Sequence, residues 1–231
     1  MKKLVIIPAF NESACILKTV QNIKEHTKEF DYIVIDDHST DETALLCEKN
    51  AVPVLKLPTN LGIGGAVQTG YRYAMENNYD IAVQFDGDGQ HNAAFLEKMA
   101  TTLINENVDM VIGSRFIEKE GFQSSGMRRV GIRFLSGLTK VLTGKKITDP
   151  TSGLRMISKE VIELFASDYP KDYPEPESNV LLLRSGKKII EIPVIMQARE
   201  TGKSSISPRK SIYYMIKVSL AMIIAGIRRK R

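Results

Sequence analysis

Residues 81–91 read IAVQFDGDGQH. An apolar run, Ile81 to Phe85, breaks off into Asp86-Gly87-Asp88-Gly89-Gln90-His91. A short continuous apolar run bounded by turn residues is the pattern of a buried strand. Carboxylates one residue apart repel each other, and the intervening glycines give up packing. Such a tip is either a solvated turn with helix-capping aspartates or a site completed by something positive. Mg²⁺ and Mn²⁺ favour oxygen ligands and take one or two carboxylates plus substrate phosphates, so a metal-diphosphate site fits the pair. Gly87 and Gly89 let the backbone bend and a bulky ligand approach. Gln90 adds a neutral oxygen. A calcium loop would share part of the spacing, with Glu97 at its twelfth position. However, His91 stands where that loop needs glycine, and a strand precedes it rather than a helix.

Outward from this stretch, apolar runs alternate with helical patterns. Strands are expected at Leu4–Ile7, Tyr32–Asp36, Val52–Leu57, Ile81–Phe85 and Met110–Ile112. Helices are expected at Ser13–Thr27, Asp41–Asn50, Gly64–Asn77 and Ala93–Asn105. Ser39-Thr40-Asp41-Glu42 has the form of a capping box for the second helix. The alternation implies an α/β fold, with a Rossmann-like, mainly parallel sheet flanked by helices. Ligands of such sheets bind outside the carboxyl ends of the strands. Those ends read Pro8-Ala9-Phe10-Asn11-Glu12, Asp36-Asp37-His38 and Asp86-Gly87-Asp88, so chain direction gathers carboxylates at one edge. The turn after the first strand holds no glycine, which argues against a dinucleotide fingerprint.

After Gly113 the alternation weakens. Arg128–Leu142 reads as a basic helix, Leu154–Ile157 as a short strand, Glu175–Arg184 as helix and Lys188–Ile195 as strand. Residues 196–208 read as a Gly/Ser/Pro-rich loop, and a last helix spans about Ser211–Ile227. The chain divides into a nucleotide-binding half, 1–113, an acceptor-handling half, 114–208, and a terminal helical segment, 209–231.

The 231 residues carry a net charge of +5, unevenly spread. Eight Lys/Arg face two Glu between Arg115 and Lys146, and nine face one between Arg199 and Arg231. A basic second half suits phosphate-bearing ligands or an anionic membrane surface, or is a solvated charged face. Basic and aromatic residues do not interleave as a nucleic-acid module requires, so no nucleic-acid partner is expected. Cys15 and Cys47 lack metal-ligand spacing and read as buried free thiols in a reducing compartment. The N-terminal apolar run is too short for a signal peptide, which makes a cytoplasmic location the expectation.

Three blocks of residues, Val5-Ile6-Ile7-Pro8-Ala9-Phe10-Asn11-Glu12, Ile35-Asp36-Asp37-His38-Ser39-Thr40-Asp41 and Asp86-Gly87-Asp88-Gly89-Gln90-His91, resemble family 2 glycosyltransferases of the GT-A fold. Gly113-Ser114-Arg115-Phe116, Asp149-Pro150-Thr151-Ser152-Gly153-Leu154-Arg155 and Arg199-Glu200-Thr201-Gly202-Lys203-Ser204-Ser205 extend the match. The chain is most similar to the dolichyl- or polyprenyl-phosphate sugar transferase branch, in six blocks over residues 2–208. The resemblance implies that Pro8, Ala9, Glu12 and Asp37 hold the nucleoside. It implies that Asp86 and Asp88 bind a Mg²⁺ or Mn²⁺ bridging the donor diphosphate, with Gly87 and Gln90 beside it. Arg199, Lys203 and Ser204 would close over the phosphates of a UDP- or GDP-sugar. The implied reaction is inverting displacement at the anomeric carbon. A hydroxyl acceptor would need a general base, for which Glu175, Glu177 and Asp149 are the candidates. A lipid-phosphate acceptor needs none, and Arg115, Arg129 and Arg133 would position it.

Bacterial relatives of that branch commonly carry two or more transmembrane helices after the catalytic domain. Here the last apolar stretch, Ile212–Ile227, is interrupted by Lys217 and falls short of the about 20 residues a span needs. Ile212, Ile216, Leu220, Ile223 and Ile227 form a stripe before Arg228-Arg229-Lys230-Arg231. That reads as an interfacial helix with a polybasic anchor, on the inner face of the cell membrane, or as a helix docked on the protein's own core or a partner subunit. A homo-oligomer is also compatible. The acceptor is then polyprenyl phosphate or a lipid-linked saccharide in cell-surface glycan synthesis. Two rivals remain. A sugar nucleotidyltransferase would want a Gly-rich loop where PAFNE stands. A catalytically silent nucleotide-sugar-binding subunit of a membrane complex would not need the complete aspartate pair.

Overall fold

The structure, a computed structural model, describes residues 1–122, 126–197 and 208–227. In chain order the elements are β1 (Lys3–Ala9), α1 (Ile16–His26), β2 (Phe30–Asp36), α2 (Thr43–Lys49), β3 (Val54–Lys56), α3 (Gly62–Glu76) and β4 (Ile81–Gln84). After a 3₁₀ turn at Ala93–Phe95 come α4 (Leu96–Asn105), β5 (Met110–Ser114), α5 (Gly126–Thr143), β6 (Arg155–Ser158) and α6 (Lys159–Ser167). The last three are α7 (Pro174–Arg184), β7 (Ile189–Pro193) and α8 (Pro208–Ile227).

Seven strands form one sheet in the order β3-β2-β1-β4-β6-β5-β7. All neighbours are parallel except at β6, which runs antiparallel to both β4 and β5. The apolar runs are continuous because both faces of the sheet are covered. Along β1, Val5 and Ile7 join Val34 and Val83 in a core under α1 and α4. Leu4 and Ile6 face the other way, into a second core with Val67 and Tyr71 of α3 and Ile162 and Phe165 of α6. Each such aliphatic side chain contributes about 1.5–3 kcal/mol when fully withdrawn from water. Helix α3 lies so close on β1 that a Cβ at Gly70 would stand 2.2 Å from Ile6 Cγ2. Any larger residue there would lift the helix.

Three features depart from the sequence reading. Helix α6 was not expected. β6, which follows residue 113 in the chain, is inserted antiparallel between β4 and β5, which was not expected. Helix α2 starts at Thr43 without a side-chain cap bond; Asp41 instead accepts from Thr43 N at 2.9 Å and Ser13 N at 3.1 Å, tying two loops together. Cys15 and Cys47 are buried free thiols, as expected.

A third apolar cluster, Leu135, Val180, Val218, Met222 and Ala225, packs α8 against α5 and α7. Helix α8 therefore docks one side on the protein. Its other side leaves Ile216, Leu220, Ile223 and Ile227 exposed, the stripe read from the sequence, while the Ile212 side chain lies outside the described residues. Among the described residues no helix is long and apolar enough to cross a membrane.

Candidate active site

From β1 the chain moves to β2 and β3 on one side, then crosses back to β4 on the other. Loops leaving the carboxyl ends of β1 and β4 diverge, and the crevice between them is where such sheets bind ligands. Backbone contacts draw the expected residues to this point. Asp37 N donates to Ala9 O at 2.8 Å and Phe85 N to Ile6 O at 2.9 Å. A Cβ on Gly87 would stand 3.2 Å from Pro8 O. Asn11 adopts a left-handed φ of 57° and its Oδ1 accepts from Thr40 N at 2.8 Å and Asp41 N at 3.3 Å, which locks the β1 and β2 tips side by side. Glu12 N donates to Thr43 Oγ1 at 2.9 Å. Pro8, Ala9, Glu12, Asp37, Asp86 and Gly87 thus line one edge of the sheet.

Asp37 is buried, and its Oδ1 accepts from Leu61 N at 2.7 Å. Burial pushes its carboxyl above the usual range, and the Leu61 and Gly62 N–H groups partly offset this. Asp88 is buried and its Oδ1 accepts from Gln90 N at 3.0 Å. Gln90 in turn is held by Gln197, whose N donates to Gln90 O at 2.9 Å and whose carbonyl accepts from Gln90 Nε2 at 3.3 Å. Gln197 directly precedes residues 198–207 in the chain. Arg199, Lys203 and Ser204 belong to that segment, and lie outside the described residues together with most of the expected 196–208 loop.

Asp86 has a 34% exposed side chain. Its Oδ1 accepts from Gln84 Nε2 at 3.3 Å, and its Oδ2 lies 3.1 Å from His91 Nε2. The same Gln84 amide reaches Glu175 Oε1 at 3.4 Å. Glu175 keeps some exposed surface, but its carboxyl group is withdrawn from solvent. Desolvation raises its pKa above the usual value, the Arg155 guanidinium opposes the rise and Asp86 adds to it. Pro174 opens α7 with Glu175 and Glu177 in its first turn, where carboxylates favour the helix dipole. Glu177 is half-buried.

Asp149 and Arg115, a base candidate and an acceptor contact in the sequence reading, face each other. They form a buried bidentate pair, Arg115 Nε to Asp149 Oδ2 at 2.6 Å and Nη2 to Oδ1 at 2.7 Å, with Nη2 also reaching Thr151 Oγ1 at 3.1 Å. Asp149 is 0% exposed. Both Asp149 oxygens accept from the guanidinium, and the Arg115 side chain is itself only 7% exposed, so the pair is turned inward on itself. The pair is further fixed from β7, where Glu191 accepts from Asp149 N at 2.8 Å and Thr148 N at 2.6 Å. Arg129 and Arg133 sit one turn apart on α5 and are exposed.

A divalent ion fits the residues present. Two carboxylates and the Gln90 amide stand at the β4 tip, where Mg²⁺ or Mn²⁺ would draw its remaining ligands from water and phosphate. Among the described residues no three His, Cys, Asp or Glu side chains converge on one point.

The sequence reading gave no role to Gln84, Glu191, His91 or Arg155. Arg155 is fully buried, donating to Ser152 O at 2.7 Å, Pro150 O at 3.0 Å and Ser178 Oγ at 2.7 Å. A lone arginine opening a buried strand is a signal that could have drawn attention, because such a charge needs a full set of partners.

A family model described as "Glycosyl transferase family 2" matches residues 4–165. The chain is 32% identical over 210 residues to the UDP-N-acetylglucosamine–dolichyl-phosphate N-acetylglucosaminyltransferase of Methanococcus voltae, covering 82% of this chain and 83% of the relative. It is 30% identical over 216 residues to the undecaprenyl-phosphate mannosyltransferase of Micrococcus luteus, covering 90% and 88%. Among solved structures, glucosyl-3-phosphoglycerate synthase from Mycobacterium tuberculosis, in complex with Mn²⁺, UDP-glucose and phosphoglyceric acid, superposes with a TM-score of 0.72. That match covers 99% of this chain and 81% of the other at 18% identity, and shows a shared GT-A fold.

Proposed function

The chain belongs to glycosyl transferase family 2 and is a glycosyltransferase, and we propose that it moves a sugar, with inversion and with Mg²⁺ or Mn²⁺, from a nucleotide-sugar to a polyprenyl phosphate at the inner membrane face. The observation that carries this reading is the Asp86/Asp88 pair at the β1/β4 crevice, beside Ala9 and Asp37, which would face the nucleoside. The metal would stabilise the charge that grows on the departing diphosphate. Arg199, Lys203 and Ser204 would add fixed positive charge and donors to it. The names of the two curated relatives support a lipid-phosphate acceptor. Such a product would feed cell-surface glycan synthesis.

An acceptor phosphate is already an anion and needs no general base. Positioning it falls to Arg129 and Arg133, exposed on α5 next to the exposed apolar Val130 and Phe134. An open groove of ≈ 300 Å³ runs between α5 and α8, lined by Phe134, Met215, Ile216, Ser219, Leu220 and Ile223. An apolar surface rimmed by arginines is the make-up of a segment seated at an anionic bilayer interface. The raised proton affinity of Glu175 favours a second reading, in which it is the base for a hydroxyl on a lipid-linked saccharide.

The test is transfer from UDP- and GDP-sugars to undecaprenyl phosphate in anionic liposomes, with Mn²⁺ or EDTA, read by mass spectrometry. Metal-dependent formation of a sugar-phosphate-lipid supports the proposal. Transfer to a lipid-linked saccharide, lost in Glu175→Gln, supports the second reading, and transfer undiminished by EDTA removes the metal role. Ile216→Glu with Leu220→Glu is expected to release the protein from these liposomes; unchanged co-sedimentation rules out the membrane-facing surface.

A further inference from the structure

His91 is wholly buried, with 0% of its side chain exposed, although it follows a polar turn. Its ring stands edge-on to Phe85, centroids 5.3 Å apart, and its Nε2 lies 3.1 Å from Asp86 Oδ2. Its Nδ1 is buried without a hydrogen-bond partner. An N–H at Nδ1 would therefore be a stranded donor, whereas an N–H at Nε2 meets a carboxylate. The hydrogen-bond geometry thus assigns the tautomer with the proton on Nε2. The same Asp86 oxygen is bounded by backbone: a Cβ on Gly153 would fall 2.4 Å from Oδ2 and 2.9 Å from Oδ1. Only a residue without a side chain leaves the carboxylate where it is.

Gly153 is itself held in place. The Arg155 guanidinium gathers Pro150 O and Ser152 O, and Ser152 Oγ donates to Gly113 O at 2.6 Å. The position of Asp86 is thus set by groups from β4, its own turn and the 149–153 turn, none of which is a candidate metal ligand.

We propose that His91 is a positioning residue which, together with the bare Cα of Gly153, fixes the rotamer in which Asp86 presents its carboxylate to the metal-diphosphate. The inference deepens the metal-dependent reading above and rests on it. A carboxylate held in advance loses no side-chain freedom when the cation arrives, and a hydrogen bond to one oxygen directs the remaining lone pairs. His91 acts through Asp86 and touches neither metal nor sugar.

The test is a calorimetric titration of Mn²⁺ into the full chain with UDP, and separately with GDP, against nucleotide-only controls. Wild type, Asp86→Asn, His91→Phe, His91→Gln and Gly153→Ala are compared, each with a thermal melt. Asp86→Asn is expected to abolish protein-dependent Mn²⁺ uptake. His91→Phe and Gly153→Ala are expected to weaken it by about 10–100-fold, the usual cost of losing an outer-shell partner. His91→Gln, which keeps an N–H donor, should recover most of that loss. In turnover, the KM for Mn²⁺ should rise while kcat at saturating Mn²⁺ stays close to wild type, a split that a packing defect would not produce. Wild-type Mn²⁺ affinity in His91→Phe, with Asp86→Asn inactive for binding, overturns the inference and leaves the metal reading standing. Unchanged Mn²⁺ uptake in Asp86→Asn overturns the metal reading itself. If His91→Phe does not fold, Gly153→Ala decides: wild-type affinity in that folded variant sinks the cradle.

Discussion

Two turns at the same edge of the sheet, Asp86–His91 and Asp149–Gly153, each begin with an aspartate, yet the aspartates differ in kind. Asp149 is 0% exposed and spends both oxygens on the Arg115 fork. Asp86 keeps 34% of its side chain exposed and is steadied by an amide and an imidazole. The first is neutralised inside the protein and holds a loop in shape; the second faces a crevice. The turns meet where Gly153 lies against Asp86, so the sealed site serves as the backing of the open one. A conspicuous carboxylate in a loop is thus not enough to name a catalyst. Its nearest cation and its access to solvent decide.

The comparison breaks most sharply at the open turn. Asp88→Asn is expected to lower Mn²⁺-dependent turnover by about 10²–10³-fold, the scale of losing one charge-stabilising group, with the melting curve unchanged. Turnover at the wild-type level would deny the pair its metal role. At the sealed turn the damage should be to the fold. Arg115→Met leaves Asp149 buried and unpaired, a loss of about 3–5 kcal/mol in stability. Arg115→Met with Asp149→Leu should regain much of it in chemical denaturation. A single variant as stable as wild type would show that the pair is not structural.

The smallest effect should come from Glu175, which stands between the two turns. Its folded-state pKa is raised, so protonation favours the fold, and stability is lost as pH climbs through that value. Glu175→Gln should therefore melt higher than wild type at neutral pH, and the gain should vanish below the ordinary glutamate range. A gain independent of pH would mean that desolvated charge is not the cause.

Much of the sheet was legible because its inner strands β1, β4 and β5 are short apolar runs buried on both faces. The direction of β6 was not, since Arg155–Ser158 reads alike in either sense and only its partners β4 and β5 orient it. Helix α6 has helical spacing at Val161, Ile162, Phe165 and Ala166, but its nine residues are pressed between a strand and the Pro170 turn. At the site, the tips of β1, β2 and β4 could be read because each motif lies within a few residues. The Arg115–Asp149 pair joins positions 34 apart, and Gln84–Glu175 positions 91 apart, so no local pattern announces them. His91 was given no role because its burial depends on Phe85 and on the turn around Asp86.

Helix α7 touches both ends of the proposed reaction. Glu175 in its first turn stands at the Gln84 amide, and Val180 sits among the α5 and α8 side chains. They stand five positions apart on the helix, about 7.5 Å along the axis. On the proposed function that segment is a spacer of fixed length between the bilayer and the sugar. It would set how far a lipid headgroup must rise to be glycosylated, and one inserted turn would move the two out of reach of each other.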